Sequence, residues 1–88
     1  MIDMGRRMGS EMNIRKPAVL VADDDPAIVR SIERTLRDEG LDIRTAHDGQ
    51  AALDVAARHR IDLFILDVMM PGLNGFDVCA RLRAAAAP

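Results

Sequence analysis

Two stretches of the chain are apolar without a break, Val19-Leu20-Val21-Ala22 and Leu63-Phe64-Ile65-Leu66. Continuous apolar runs this short fit strands of a parallel sheet, buried on both faces. The first is opened by Pro17, where a missing N–H is tolerated. The second predicts a strand over 61–66. Between them the period changes. Ile28, Val29, Ile32 and Leu36 recur at i, i+1, i+4 and i+8, the stripe of an amphipathic helix. Asp25-Pro26 supplies its N-cap and first residue, and Gly40 its C′ residue. Leu41 to Ala46 alternates as a short strand, and His47-Asp48-Gly49 reads as a turn. Ala52, Leu53, Ala56 and Ala57 give a second helix over about 50–58. Val68 to Asn74 is a loop, punctuated by Pro71-Gly72 and Asn74-Gly75. Val78, Cys79 and Leu82 mark a third helix over 76–86. The order β-α-β-α-β-α implies an α/β fold with a parallel sheet and right-handed crossovers.

Ahead of this alternation, residues 1–16 show no period. Met1, Met4, Met8 and Met12 interleave with glycines and charges, so this segment is expected to be a disordered tail. The domain is then 17–88.

Composition narrows the function. Eighty-eight residues allow one small domain. Twelve basic and 14 acidic side chains nearly balance, and the arginines are dispersed, so no nucleic-acid contact is expected from this segment. There is no Trp or Tyr to stack on bases. No apolar stretch approaches the roughly 20 residues of a membrane span, and no apolar segment follows Arg6-Arg7 as in a signal peptide. A single cysteine, Cys79, excludes an intrachain disulfide and favours a reduced, cytoplasmic setting. On a helix it reads as a packing residue. His47 and His59 have no partners at metal-ligand spacing and read as surface residues.

The candidate chemistry stands at the strand ends. The first apolar run ends in Asp23-Asp24-Asp25 and the second in Asp67. In open α/β sheets ligands bind beyond the carboxyl ends of the strands. Acids gathered there repel one another unless a cation lies among them. Asp23 and Asp24 taken alone read as a solvated loop pair, and Asp25 as an N-cap.

The run Val19-Leu20-Val21-Ala22-Asp23-Asp24-Asp25-Pro26, followed by Asp67-Val68-Met69-Met70-Pro71-Gly72-Leu73-Asn74-Gly75-Phe76-Asp77, resembles the receiver domain of two-component response regulators. The resemblance covers about Lys16 to Leu82. It implies a partial flavodoxin-like fold, strand order 2-1-3. It also implies that Asp67 is the phosphoacceptor. Mg²⁺ would be held by Asp23, Asp24, Asp67 and the backbone carbonyl of Met69. The partner implied is a sensor histidine kinase or phosphotransfer protein, and the role is phosphorelay signalling rather than enzymatic turnover. Mg²⁺ suits such a site, because it takes oxygen ligands, keeps waters and commonly uses one or two carboxylates plus phosphate oxygens.

The pattern of a full receiver breaks off here. The resemblance implies a fourth strand ending in Ser or Thr and a fifth ending in Lys, each with its helix. No Ser or Thr follows Asp67, and Lys16 is the only lysine. The 88 residues are therefore expected to be a truncated receiver, impaired in phosphorylation and switching. The third strand would be an open edge, with Val19, Val21 and their third-strand neighbours partly bare. Such an edge allows self-association, so the alternative function is a non-phosphorylated interaction or dimerisation module. A phosphatase of the haloacid dehalogenase type also carries D-x-D after its first strand, but Ala27 stands where that pattern wants Thr or Val.

Overall fold

The computed structural model describes residues 15–86. The expected tail lies outside them, except for Arg15 and Lys16. The elements run β1 (Ala18–Ala22), α1 (Pro26–Arg37), β2 (Asp42–Ala46), α2 (Gly49–Arg58), β3 (Leu63–Leu66) and α3 (Gly75–Ala86). Among the described residues the strands form one parallel sheet of order β2-β1-β3. The fold class, the alternation and the strand order are those expected.

β1 is the centre of the domain. All five of its residues are buried, as a strand with a neighbour on each side and helices above and below must be. Leu20 and Ala22 join Ala46, Ala52, Met70 and Val78 in the core. On α1, Val29 is buried, and that helix packs on β1 and β2. Val19 and Val21 are only 2% and 1% exposed, which corrects the expectation that they would be partly bare. β2 and β3 flank them, and α1 packs on β1. The exposure falls on β3, as expected for their third-strand neighbours, where Leu63 is 55% exposed, and on Phe76 at the start of α3, 69% exposed.

Element ends shift by one to three residues. The α1 ladder stops at Arg37, because Glu39 and Gly40 donate to Leu36 and Arg37 in tighter turns. Gly40 still reverses the chain, at φ +80°, a conformation glycine takes without steric cost. Asp48, read as a turn residue, is the N-cap of α2, its Oδ1 accepting from Ala51 N–H at 2.7 Å. β3 begins at Leu63 rather than Ile61. No helix among the described residues is long and apolar enough to cross a membrane.

Candidate functional site

The parallel ladders carry the acids to one edge. Register pairs Ala22 with Ala46 on one side and with Leu66 on the other. The ladder continues one step past each strand. Asp23 N–H donates to the Ala46 carbonyl at 3.2 Å, and Asp67 N–H donates to the Ala22 carbonyl at 2.9 Å. Asp23 and Asp67 therefore leave the sheet side by side, both half-buried, with Asp24 exposed beside them. One carboxylate oxygen from each of Asp23, Asp24 and Asp67 lies within 4.8 Å of the others.

Local hydrogen bonds orient this cluster. Asp23 Oδ1 accepts from Asp25 N–H at 2.9 Å, closing a turn between β1 and α1. Asp25 caps α1, accepting from Ala27 N–H at 2.9 Å. It therefore serves the helix, as expected, and stands outside the cluster. Asp67 Oδ1 accepts from Met69 N–H at 3.3 Å. The side chain of Met69 is 79% exposed.

The loop behind Asp67 is held against α3. Gly75 N–H donates to the Val68 carbonyl at 3.2 Å. A Cβ on Gly75 would lie 2.4 Å from the Asp67 carbonyl oxygen, so only glycine permits this approach. Asn74 and Asp77 cap α3 reciprocally. Asn74 Oδ1 accepts from Asp77 N–H at 2.9 Å, and Asp77 Oδ2 accepts from Asn74 N–H at 3.2 Å. That is a capping box with Asp in the usual place of Glu. Its Asn-x-x-Asp spacing is the signal for this cap in the sequence.

Three oxygen donors converging from carboxylates suit a hard divalent cation. A cation would also offset the mutual repulsion of the three acids. The residues present thus fit Mg²⁺. A hollow of about 500 Å³ lined by Arg15, Lys16, Arg37, Leu41, Asp42 and Ile43 lies at the other end of the sheet, away from this chemistry.

One acid was missed by the sequence reading. Asp62, just before β3, accepts Ala18 N–H on Oδ2 at 2.7 Å. Arg15 Nη2 donates to both its oxygens, at 3.2 and 3.3 Å. The Ala18 hydrogen bond is the main reason its carboxyl titrates below the usual value of 3.8, with Arg15 and Arg60 adding to the effect and burial opposing it.

The sequence and the fold match those of known proteins. The family model for the response regulator receiver domain matches residues 19–88. The chain is 48% identical over 66 residues to the response regulator MprA of Mycobacterium avium, which covers 75% of this chain and 29% of that protein. It is 44% identical over 73 residues to the DNA-binding response regulator MtrA of Mycolicibacterium smegmatis, covering 83% of this chain and 32% of that protein. The chain thus spans about a third of the length of these relatives. Among solved structures, the chemotaxis protein CheY4 of Vibrio cholerae superposes with a TM-score of 0.79 at 36% identity, over 82% of this chain and 60% of that one. The response regulator TrrA of Thermotoga maritima, solved in complex with Mg²⁺-BeF, gives a TM-score of 0.77 at 37% identity, over 80% of this chain and 61% of that one. The chain belongs to the response regulator receiver domain family of two-component signalling.

Proposed function

We propose that Asp67 accepts a phosphoryl group from a histidine kinase or phosphotransfer protein in a Mg²⁺-dependent reaction. The observation that carries this reading is the convergence of Asp23, Asp24 and Asp67, with one oxygen from each within 4.8 Å of the others. A carboxylate oxygen of Asp67 attacks phosphorus, an acyl phosphate forms, and the bond to the donor nitrogen breaks. Bound Mg²⁺ supplies positive charge that offsets the repulsion between carboxylates and the incoming phosphoryl group. Asp23 and Asp24 would hold the cation beside Asp67, and the Met69 carbonyl would complete the protein ligands. The Met69 N–H orients the acceptor carboxylate from the loop side. The domain acts as a cytoplasmic signalling module without turnover of its own.

Asp67→Asn is expected to abolish labelling by a phosphodonor and to leave Mg²⁺ binding partly intact. Labelling that persists in that variant overturns the assignment. Labelling of the 88 residues alone is expected to be weak, since they contain no Ser or Thr after Asp67 and no lysine but Lys16.

A second reading is favoured by the exposure of Leu63 and Phe76. Self-association through the side of β3 that pairs with no strand among the described residues would cover apolar surface. Sedimentation over a range of concentrations checks it, and a concentration-independent monomer counts against it.

A further inference from the structure

Neither strand beneath the acidic cluster carries an alternating code. β1 reads Ala-Val-Leu-Val-Ala and β3 reads Leu-Phe-Ile-Leu. A one-residue slip moves every side chain to the opposite face, but here it exchanges one apolar residue for another. The carboxyl end of the pair does not favour the observed register either. It brings Asp67 beside Asp23 and Asp24, and like charges repel. A contact that resists this repulsion is needed before a cation binds.

The other end of the same strand pair supplies it. Asp62 stands opposite Ala18, one step before the Val19–Leu63 pair. It grips Ala18 twice. Its N–H donates to the Ala18 carbonyl at 2.8 Å, and its Oδ2 accepts the Ala18 N–H at 2.7 Å. A charged acceptor makes the stronger kind of hydrogen bond. A slip by one residue would put Ile61 or Leu63 opposite Ala18, and neither offers an acceptor side chain.

We propose that Asp62 is a positioning residue, pinning β3 on β1 so that Asp67 stands abreast of Asp23 before any cation is bound. The functional weight of this rests on Asp67 being the phosphoacceptor beside Mg²⁺. The pinning itself is a statement about register and is tested separately.

The experiment follows backbone amide NMR spectra of the full chain during titration with MgCl₂, together with cross-strand contacts between Asp23 and Asp67 and urea midpoints. Asp62→Ala removes the acceptor. It is expected to weaken Mg²⁺ binding to the folded protein by about fivefold and to weaken the Asp23–Asp67 contacts. Asp62→Asn keeps a neutral acceptor for Ala18 N–H, and a loss of about twofold is expected. Arg15→Ala leaves the Ala18 bond in place and is expected to match the wild type in Mg²⁺ affinity. A lower urea midpoint in Asp62→Ala, with Mg²⁺ affinity and cross-strand contacts unchanged, marks an ordinary structural residue and overturns the proposal. Should the wild type bind no Mg²⁺, the phosphoacceptor reading fails, and the cross-strand contacts alone decide the pinning. Should Asp62→Ala not fold, Asp62→Asn decides. Faster exchange of the Ala18 and Asp67 amides supports the pin, and wild-type exchange with wild-type affinity overturns it.

Discussion

The carboxylate of Asp62 is stabilised in its charged form by the Ala18 N–H, then by Arg15 and Arg60, against the cost of partial burial. Its folded pKa therefore lies below the usual value of 3.8 that holds in the unfolded chain. A group depressed in this way contributes stability that is fully present above the unfolded pKa. That contribution is lost as pH falls through the folded pKa. The urea midpoint of the wild type is therefore expected to fall as pH drops from about 5 towards 2. In Asp62→Asn, which cannot titrate, the fall over the same window is expected to be smaller. Parallel curves for the two proteins would show that Asp62 gains nothing from its neighbours on folding. Asp67 and Asp62 present opposite cases for a reader of the sequence. Asp67 ends an apolar run and is followed by a Pro-Gly loop, so its place was legible. Asp62 lies inside the segment read as strand, and its partner Ala18 is 44 residues away. Nothing local distinguishes it from a surface acid.

Among the elements, α3 bears most directly on Asp67. Its first residue, Gly75, touches the Asp67 backbone, and the obstruction to a side chain there is main-chain oxygen rather than a flexible tip. Gly75→Ala must push α3 and the Asp67 loop apart. A cost of about 1–3 kcal/mol is expected, as for other overpacked sites, measurable as a lower urea midpoint. Mg²⁺ affinity should fall with it. An alanine variant with both values unchanged would mean that the loop yields without moving Asp67. The strands and helices themselves were legible, because apolar runs and a helical stripe follow directly from burial on two faces or on one. Their ends were less so. Gly40 reads as the residue closing α1, yet the last turns tighten and the ladder stops at Arg37. Asp48 before Gly49 resembles turn chemistry, and the same short side chain serves as an N-cap. In each case one residue type satisfies two local geometries, and packing of the helix behind it selects between them. The acidic cluster was legible as acids at the ends of two apolar runs, and the resemblance to receiver domains singled out Asp23, Asp24 and Asp67 among them. Its spacing depends on register, which uniform apolar strands do not encode.

At the scale of the whole molecule the core is small. Leu20, Val19, Val21 and Val78 are its largest fully buried side chains. Domains of this size retain a small margin over chain entropy. Against that margin the fold holds three carboxylates at one edge. A cation bound by the folded state and not by the unfolded chain must then stabilise the whole domain by mass action. At Mg²⁺ a hundredfold above its dissociation constant the gain is about 2.7 kcal/mol. For a domain of this length that corresponds to a rise in Tm of roughly 10–20 °C. Thermal unfolding followed by circular dichroism, with and without saturating MgCl₂ at constant ionic strength, measures it. Asp24→Asn removes one charge from the cluster, and two opposite changes are expected. The metal-free variant should melt above the metal-free wild type, because less repulsion remains. Its gain on adding Mg²⁺ should be smaller, because a charged oxygen donor is replaced by a neutral one. A variant that melts lower without metal and gains as much with it would place Asp24 outside the cation site. The three carboxylates would then have to tolerate their proximity through solvent alone.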